Sequence, residues 1–551
     1  MQEINVTING RQVSVAPGCT VLEAAKVAGI KIPTLCYHPD QSLKAACRVC
    51  VVEIEGNRLL QPACAFPVFP GMVVKTSSPK VREARQTIVE LMLSNHPQDC
   101  LHCSRNLNCE LQTLTQELNI REAPFAELPR MLKQDNSTPS IKRTPDKCLN
   151  CRRCIEACTK IQGIGILYTT GRGQSTVVQT ALEQNLNDVP CILCGQCLQA
   201  CPVGAITEVD DCSRVWDALY DPTKHVVVQT APAIRVALGE EFAGSAGSIV
   251  TGKLVAALRA LGFDGVFDTD FAADLTIIEE GHEFLHRLQH GGTLPMITSC
   301  SPGWIKFAEH FFPEQSSHLS TCKSPQQMFG ALAKTYYANK KGIDPASVFV
   351  VSIMPCTAKK YEAARPEMNA SGYPDVDVVL TTRELARMLK QAGIDWASLA
   401  QEDFDAPLGI STGAGVIFGA TGGVMEAALR TVYEVVTGEE LANVNFTVVR
   451  GLQGIKEADV NVGGTVVKVA VAHGLANARQ LMDQVALGES PYHFIEVMTC
   501  PGGCIGGGGQ PIPTTNAVRQ KRIDAIYQAD TEMTLRKSHL NPAVAALYEE
   551  F

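Results

Sequence analysis

Apolar and polar residues alternate at the start of the chain in a way that predicts two short strands and a helix. The stretch "QEINVTI", which begins at Gln2, alternates with period two, and "ING" supplies a turn before "RQVSV". The following "TVLEAAKVAGI" has helical spacing and ends near a glycine. We therefore expect a small β-grasp-like domain over residues 1–78.

From about residue 222 the pattern becomes an alternation of strand-like and helix-like stretches. "HVVVQTAP", "PMITSC", "ASVFVVSIMPC" and "TVVKVAVA" are strand-like, whereas "TGKLVAALRALGF" and "TTRELARMLKQAG" have helical spacing. This order predicts α/β layers with a mainly parallel sheet over residues 222–551. Apolar strand-like runs end at Cys300, Cys356 and Cys500, and strand ends are where open α/β sheets place their ligands.

The composition of the 551 residues is that of a well-packed multidomain protein. Apolar residues make up 45% and charged residues 19%, and the net charge of −9 offers no general basic surface for nucleic acid. The sequence shows no signal peptide and no run of 18 uncharged apolar residues, so we expect a cytoplasmic protein without a membrane span. In a reducing compartment its 22 cysteines predict metal sites or catalysis rather than disulfides.

Two cysteine groups near the front predict metal sites whose metal the spacing alone leaves open. The first group has a C-x10-C-x2-C-x13-C spacing, which suits a 2Fe–2S cluster or a structural zinc ion. The second, over residues 79–120, combines one histidine with three cysteines and suits zinc or a 4Fe–4S cluster about equally. His102 lies inside the second group and competes with His96 as the nitrogen ligand. The two sets are Cys36, Cys47, Cys50 and Cys64, and His96, Cys100, Cys103 and Cys109.

A third group, within residues 138–210, consists of two C-x2-C-x2-C-x3-C runs, the signature of a bacterial two-cluster ferredoxin. In that signature the fourth cysteine of each run ligates the cluster of the other run. The expected sets are Cys148, Cys151, Cys154 and Cys201 for one 4Fe–4S cluster, and Cys191, Cys194, Cys197 and Cys158 for the other. With these runs present, electron transfer is favoured over zinc for the first two groups.

The cysteines of the body indicate one more cluster site, built from remote parts of the chain. "CPGGC" places Cys500 and Cys504 four residues apart, and the glycines of "IGGGGQP" would let the backbone approach a bulky cofactor closely. Single buried structural cysteines are common, but that alternative fits three strand ends and a C-x3-C among glycines poorly.

"TSCSPGW", "MPCTAKKYE" and "EVMTCPGGCIGGGGQP" resemble the three active-site signatures of iron-only (FeFe) hydrogenases. The whole chain is similar to the clostridial-type members of that family. The resemblance implies an enzyme that interconverts H2 with protons and electrons. In that family the cofactor is the H-cluster, a 4Fe–4S cubane joined by a cysteine thiolate to a diiron unit with CO, cyanide and an azadithiolate. One 2Fe–2S and three accessory 4Fe–4S clusters would relay electrons to it.

The resemblance also implies roles for individual residues of the body. Cys356, Cys500 and Cys504 would hold the cubane, with Cys504 bridging to the diiron unit. Lys359 would donate a charged hydrogen bond to a cyanide, and Glu362 would fix that lysine. Ala233 stands where the family often has a serine donor. The residues that match the lining of the diiron pocket are Pro232, Ala233, Gln326, Met354, Phe418 and Met498.

Residue 301 departs from the family pattern, which usually reads Thr-Ser-Cys-Cys-Pro. In the family the first cysteine is the last proton relay and the second is the fourth cubane ligand; here they are Cys300 and Ser301. A serine oxygen is a hard ligand, poorly suited to an iron–sulfur cluster. Ser301 therefore ligates weakly, or Cys300 takes over ligation, or the nearby Cys322 compensates.

The family's proton relay matches Cys300, Glu280, Ser320 and Glu283. The two glutamates lie three apart in "TIIEEGHEFLHRL" and would share a helix face. Without the resemblance, a solvated acidic face would be the preferred interpretation. Thiol, carboxyl and hydroxyl groups can each give and take a proton, which a relay requires.

Two other functions compete with hydrogen chemistry. The large iron–sulfur subunit of NADH dehydrogenases, and some formate dehydrogenases, begin with a similar front end but lack "MPCTAKK" and "EVMTCPGGC". A sensor or electron carrier with an impaired hydrogenase site is favoured by Ser301 alone. The expected partners are H2 and protons, ferredoxin or an NAD(H)-linked subunit, and the hydrogenase maturases, with no nucleic acid and no membrane.

Overall fold

The front of the chain contains the predicted hairpin and helix. The computed structural model describes residues 3–122, 124–125 and 132–551, so Gln2, which the predicted first strand included, lies outside the described residues. The front elements are β1 (Ile4–Ile8), β2 (Arg11–Val15), α1 (Val21–Val27), β3 (Val51–Ile54), β4 (Gln61–Pro62) and β5 (Val73–Lys75). The strands form one sheet in the order β2-β1-β5-β3-β4, and the buried side of α1 packs against it.

The next segment carries most of the cysteines between short helices and strands. Its elements are α2 (Pro79–Ser94), α3 (Glu110–Glu117), β6 (Ile141–Arg143), α4 (Arg153–Glu156), β7 (Tyr168–Thr170), β8 (Val177–Gln179), α5 (Gln196–Ala200) and β9 (Ile206–Glu208). One apolar cluster runs through it and touches Cys47 of the front sheet, Cys109 and Cys154 of this segment, and Cys356 of the body. The cysteine groups therefore share one core.

The body alternates helices and strands, as the pattern predicts. Its elements in chain order are α6 (Cys212–Leu219), β10 (His225–Thr230), α7 (Thr251–Leu261), β11 (Gly265–Asp268), α8 (Thr269–His290), β12 (Met296–Ile297), α9 (Pro302–Phe311), α10 (Pro325–Leu332), α11 (Ala338–Lys341), β13 (Val348–Met354), α12 (Ala358–Ala363), β14 (Val378–Thr381), α13 (Thr382–Gln391), α14 (Gly413–Val416), α15 (Gly423–Thr437), β15 (Ile455–Val462), β16 (Thr465–His473), α16 (Leu475–Ala486), β17 (Phe494–Met498), α17 (Asn516–Glu532) and α18 (Pro542–Glu550). Among the described residues, none of the helices combines the length and the apolar character needed to cross a bilayer.

The body contains two four-stranded sheets, whereas the alternation suggested one mainly parallel sheet. The first, β11-β10-β13-β14, is entirely parallel. The second, β12-β17-β16-β15, is parallel except for the β15–β16 hairpin, where Gly463 and Gly464 both have positive φ. Such a two-residue turn returns the chain antiparallel, which the spacing of apolar residues does not reveal.

Three strand ends place cysteines at one location between the two sheets. Cys300 follows β12, Cys356 follows β13 and Cys500 follows β17, each within three residues of the strand. All three line the same cavity. Pro302 occupies the first position of α9, where its missing N–H costs no hydrogen bond, so Cys300 and Ser301 lie on a strand-to-helix turn.

Candidate functional site

A mostly apolar cavity of about 80 Å³ lies where the strand ends meet. It brings together residues from remote parts of the body that the sequence predicted as one site. The predicted residues that line it are Pro232, Cys300, Ser301, Gln326, Met354, Cys356, Lys359, Phe418, Met498, Cys500 and Cys504. Lining residues that the sequence did not point out include Ala231, Thr269, Ala273, Pro355 and Thr499.

Ala233 is the one predicted lining residue that the cavity does not include. It belongs to a short turn, Pro232–Ile234, and its side chain is fully buried in an apolar cluster of the body. Its carbonyl accepts a hydrogen bond from the Gln510 side-chain amide at 3.2 Å. The turn directs Pro232, but not its neighbour, to the cavity wall.

Cys356, Cys500 and Cys504 all line the cavity. Burial raises the pKa of all three, that of Cys504 to about 12. Thiolates at this location therefore require a bound cation, since a metal is what favours the ionised form. Gly503 has φ +92°, and a β-carbon on it would lie 2.6 Å from the Thr421 amide nitrogen. The donor set and the glycine-lined wall fit an iron–sulfur group.

Lys359 is the cation of the cavity, and a network of hydrogen bonds holds it there. Its Nζ lies 2.9 and 3.1 Å from the two carboxylate oxygens of Glu362 and donates to the Cys300 carbonyl at 3.1 Å. Glu362 also accepts hydrogen bonds from Ser324 and Gln326, each at 2.9 Å. The ammonium group is thus fixed beside the cavity, as predicted for Lys359 and Glu362.

Ser301 lines the cavity, and its hydroxyl is tied to the loop that carries Cys500. Its Oγ lies 2.7 Å from the Oγ1 of Thr499 and accepts from the Thr499 main-chain N–H at 3.4 Å. The position therefore faces the three thiols, but the oxygen already has hydrogen-bond partners. Thr499 is a site residue that the sequence did not single out, although it immediately precedes Cys500 in "MTCPGG".

Cys300 and Cys322 lie in different surroundings. Cys300 lines the cavity, and burial followed by the nearby Glu280 carboxyl raises the pKa of its thiol well above the usual value. Cys322 does not line the cavity, and its sulfur lies 4.0 Å from a carboxylate oxygen of Glu283. The structure thus provides no support for Cys322 as a replacement cluster ligand.

Two of the predicted proton-relay residues share a helix, and a third donates a hydrogen bond to one of them. Glu280 and Glu283 are both on α8, and Glu280 is 1% exposed, so this face is not the solvated acidic face of the alternative interpretation. Burial raises the pKa of Glu280 to about 7. Ser320 donates to Glu283 at 2.8 Å, and Arg287 pairs with Glu283 at 2.6 Å near the surface.

The four cysteines of the first front group, which have the C-x10-C-x2-C-x13-C spacing, come together inside the first domain. Cys36, Cys50 and Cys64 are buried and Cys47 is half-buried. The Cys36 main-chain N–H donates to the Cys47 sulfur at 3.4 Å, and the Cys47 N–H donates to the Cys36 sulfur at 3.5 Å. Amide donors directed at sulfur are what a cluster with thiolate ligands requires.

The two histidines of the second front group lie in different surroundings. The ring of His96 is mostly buried, its Nδ1 has no hydrogen-bond partner within the described part of the chain, and burial lowers its pKa to about 4. A neutral ring with a free nitrogen is ready to bind a metal. The side chain of His102 is 83% exposed and pairs with Asp99 at 2.7 Å. The burial of His96 and the pairing of His102 with Asp99 both favour His96 as the nitrogen ligand.

The two ferredoxin runs form two separate cavities with the cysteines exchanged as predicted. One is lined by Cys148, Cys151, Cys154 and Cys201. The other is lined by Cys158, Cys191, Cys194 and Cys197. The fourth cysteine of each run therefore faces the cavity of the other run. A β-carbon on Gly204 would lie 2.8 Å from the Cys103 sulfur, so the second front group packs beside the first cavity.

Comparison with protein families assigns each part of the chain. Residues 224–508 match the iron-only hydrogenase large subunit, C-terminal domain, and residues 516–551 match the iron hydrogenase small subunit. The front matches a 2Fe–2S cluster binding domain at residues 1–79, the NADH-ubiquinone oxidoreductase-G iron–sulfur binding region at 85–124, and the ferredoxin-like domain of NADH-quinone oxidoreductase subunit 3 at 138–207. A dehydrogenase-type front end is thus joined to a hydrogenase body.

Similarity to known proteins covers the full length of the chain. The chain is 54% identical to the NADP-reducing hydrogenase subunit HndD of Solidesulfovibrio fructosivorans, over 100% of this chain and 96% of that protein. It is 41% identical to iron hydrogenase 1 of Clostridium pasteurianum, over 99% and 96%. The solved structure of [FeFe]-hydrogenase HydA1 from Chlamydomonas reinhardtii matches at 44% identity with a TM-score of 0.55, covering 61% of this chain and 94% of that one. The chain therefore belongs to the iron-only (FeFe) hydrogenase family, as a multidomain member with iron–sulfur domains in front of the hydrogenase domain.

Proposed function

We propose that this protein interconverts H2 with two protons and two electrons. The observation that carries the proposal is the convergence of Cys300, Cys356, Cys500, Cys504 and Lys359 on one cavity. Residues 222–551 would form the catalytic domain. Residues 1–78, 79–120 and 138–210 would hold one 2Fe–2S and three 4Fe–4S clusters.

The residues present fit the family's H-cluster. Cys356, Cys500 and Cys504 would hold its cubane, with Cys504 as the bridge, and Ser301 occupies the position of the fourth ligand. When bound, that cofactor supplies the iron centres at which electrons, protons and H2 are exchanged. Lys359, held by Glu362, supplies a fixed positive charge for an anionic ligand of the cofactor, and its interaction is strong because the cavity is dry.

The wall of the cavity is mostly apolar. Met354, Met498 and Phe418 are 3%, 3% and 6% exposed, and they present thioether and aromatic surface to it. The flexible methionine side chains pack around an irregular group without adding charge. Gln326 has a buried side-chain oxygen without a hydrogen-bond partner among the described residues, which leaves one acceptor directed into this apolar site.

Protons would pass between the cavity and solvent along the side chains of the chain itself. Cys300 Sγ is the group at the cavity wall, and Glu280, with its pKa near 7, can hold or release a proton at neutral pH. The Ser320 N–H donates to the Ile297 carbonyl at 2.8 Å, which places Ser320 alongside the strand that leads to Cys300. Ser320 then donates to Glu283, the outermost carboxylate of the route.

Electrons would reach the cavity through the accessory sites. The ferredoxin cavity that contains Cys194 abuts the loop of Cys500 and Cys504, because a β-carbon on Gly508 would lie 2.4 Å from the Cys194 carbonyl. The second front group lies beside the ferredoxin cavity that contains Cys201, because Cys103 lies close to Gly204. These contacts would let electrons pass from the second front group through the ferredoxin cavities to the central cavity.

The external electron partner would be an NAD(P)-linked subunit, with ferredoxin as the second candidate. HndD is a subunit of an NADP-reducing hydrogenase, and two front segments match parts of NADH–quinone oxidoreductases. Assembly of the diiron unit would need hydrogenase maturases, and the setting would be the cytoplasm.

An infrared spectrum of the anaerobically purified, maturase-treated protein tests the proposal. We expect CO and cyanide stretching bands that shift when H2 is added, together with H2-dependent reduction of the accessory clusters. Accessory clusters in full number without those bands would contradict the proposal. That result would instead support an electron carrier whose hydrogenase site is impaired at Ser301.

A further inference from the structure

Three buried glutamines from the ferredoxin-like segment donate hydrogen bonds to the loop that carries Cys500 and Cys504. Gln162 donates to the Thr499 carbonyl at 3.0 Å, and Gln196 donates to the Gly506 carbonyl at 2.9 Å. Gln199 donates to the carbonyls of Gly507 at 2.9 Å and Gln510 at 2.7 Å. The three side chains are 0%, 4% and 8% exposed.

Their positions in the sequence tie them to the accessory clusters. Gln196 lies between Cys194 and Cys197, and Gln199 lies between Cys197 and Cys201. Gln162 follows Cys158 by four residues, and its own oxygen accepts from the Leu475 N–H at 3.2 Å. Each glutamine is therefore held by a segment that would be fixed by an iron–sulfur cluster.

Other contacts make the same junction rigid. Thr357, adjacent to Cys356, donates to the Leu193 carbonyl at 2.7 Å. A β-carbon on Gly195 would lie 2.9 Å from the Gly508 α-carbon, so the two backbones are in direct contact. The glycines of "IGGGG" thus have two roles. Gly508 contacts the neighbouring domain, and Gly507 lines the cavity.

We infer that Gln162, Gln196 and Gln199 are positioning residues, an amide clamp that fixes residues 499–510 against the last accessory cluster. This inference rests on the proposed function, because it assumes that Cys500 and Cys504 bind the cubane. The clamp holds two cubane ligands at a constant separation from the cluster that supplies electrons, and it keeps water away from the cubane. Both conditions influence the reduction potential of an iron–sulfur cluster.

Glutamine is suited to this role because its amide donates without adding a charge. A lysine or arginine in the same place would put a positive charge between two clusters and shift the potentials of both. The loop carbonyls of Gly506, Gly507 and Gln510 are buried. Gly507 also accepts from the Gln510 N–H, and Gln510 also accepts from Arg383. The Gly506 carbonyl, which accepts from Gln196, must recruit water when that donor is lost. Removing the clamp should therefore let water approach the cubane and leave the reduction potentials of the front clusters unchanged.

The test uses the full chain with its iron–sulfur clusters and compares Gln196→Met, Gln199→Met and the double variant with the unaltered protein. Methionine keeps the size of the side chain and removes the donor. The control is Gln179→Met, which replaces a glutamine of the same segment whose amide donates to Thr170. Two quantities are measured: hydrogen–deuterium exchange of residues 499–510, and the cubane midpoint potential from redox titrations followed by electron paramagnetic resonance.

For each lost donor we expect about tenfold faster exchange in residues 499–510, whose amides are hydrogen-bonded within the loop. The cubane potential should shift upward, since water stabilises the more negative reduced state. The accessory potentials should stay unchanged, and so should all potentials of the Gln179→Met protein.

Unchanged exchange and potential in the double variant would overturn the clamp. So would a loss of all cluster signals, which would show a general role in folding. If the unaltered protein has accessory signals but no cubane signal, the proposed cubane site fails and the clamp with it.

Discussion

Ser301 and Thr499 share a hydrogen bond of 2.7 Å between their hydroxyl oxygens, and both residues line the cavity. This contact joins the turn that carries Cys300 to the loop that carries Cys500. Gln162 fixes the same loop from the other side through the Thr499 carbonyl. Ser301 therefore has a structural function here, and it occupies the position from which a fourth ligand would reach the cubane.

Restoring a thiol at this position should strengthen the cluster. In Ser301→Cys the sulfur would face Cys356, Cys500 and Cys504, and a soft thiolate is a better iron ligand than a hydroxyl. We expect slower loss of iron to a chelator and a stronger cubane signal. Ser299→Cys is the matched control, since Ser299 is two residues away, donates to the Cys322 carbonyl and does not line the cavity. Equal rates of iron loss in both variants would show that residue 301 is not a ligand position.

The Lys359–Glu362 pair makes a prediction about stability. Glu362→Ala would leave the Lys359 charge in a mostly buried site, where breaking an ion pair costs about 3 kcal/mol. We expect the thermal unfolding midpoint of the chain to fall and the H2 activity to be lost. Glu367→Ala, which removes a surface partner of Arg365, should change stability by about 0–1 kcal/mol. Similar midpoints for the two variants would mean that Glu362 does not compensate Lys359.

The sequence could predict which residues meet, because cysteine spacing is governed by cluster geometry. The two C-x2-C-x2-C-x3-C runs predicted both cavities, including the exchange of Cys158 and Cys201. The strand ends predicted the central cavity, because apolar runs that finish in cysteine are visible without a structure. The helical spacing of Glu280 and Glu283 was likewise readable from the sequence.

Other features depend on contacts between remote segments, which local patterns do not encode. The choice of His96 over His102 follows from burial, and both histidines lie equally well within the motif. The amides of Gln162, Gln196 and Gln199 become significant only when the ferredoxin-like segment packs on the body. The second sheet of the body was missed because a strand-like pattern does not say which strands pair, although its strands β12, β16 and β17 lie in runs that the sequence predicted as strand-like.

The two histidines of the second front group provide a matched pair. If His96 is the nitrogen ligand of the second front group, His96→Ala should remove one 4Fe–4S cluster, because its Nδ1 has no hydrogen-bond partner among the described residues. His102→Ala should leave the iron content unchanged, since that exposed ring pairs only with Asp99 among the described residues. Iron analysis combined with electron paramagnetic resonance measures both. Loss of a cluster in the His102 variant alone would reverse the assignment.

Glu280 should control the dependence of H2 evolution on pH. Its pKa is raised from 4.5 to about 7 by burial, so the carboxyl is protonated below pH 7 and loses its proton above it. Proton donation toward Cys300 should therefore decline as pH rises through 7, and Glu280→Gln should lower turnover by about 10²–10⁴-fold. The neighbouring exposed Glu279→Gln is the control, and both variants should keep normal cluster spectra.

The same raised pKa has a consequence for stability that needs no activity measurement. A carboxyl that binds its proton more tightly in the folded state destabilises the fold as pH rises from about 4.5 to 7, because the unfolded chain releases that proton more readily. Glu280→Gln removes the titrating group, so the variant should gain stability over the unaltered protein above pH 7 and little below pH 5. Thermal unfolding midpoints across this range measure the difference. A constant difference at every pH would mean that Glu280 does not change its protonation state in the folded protein.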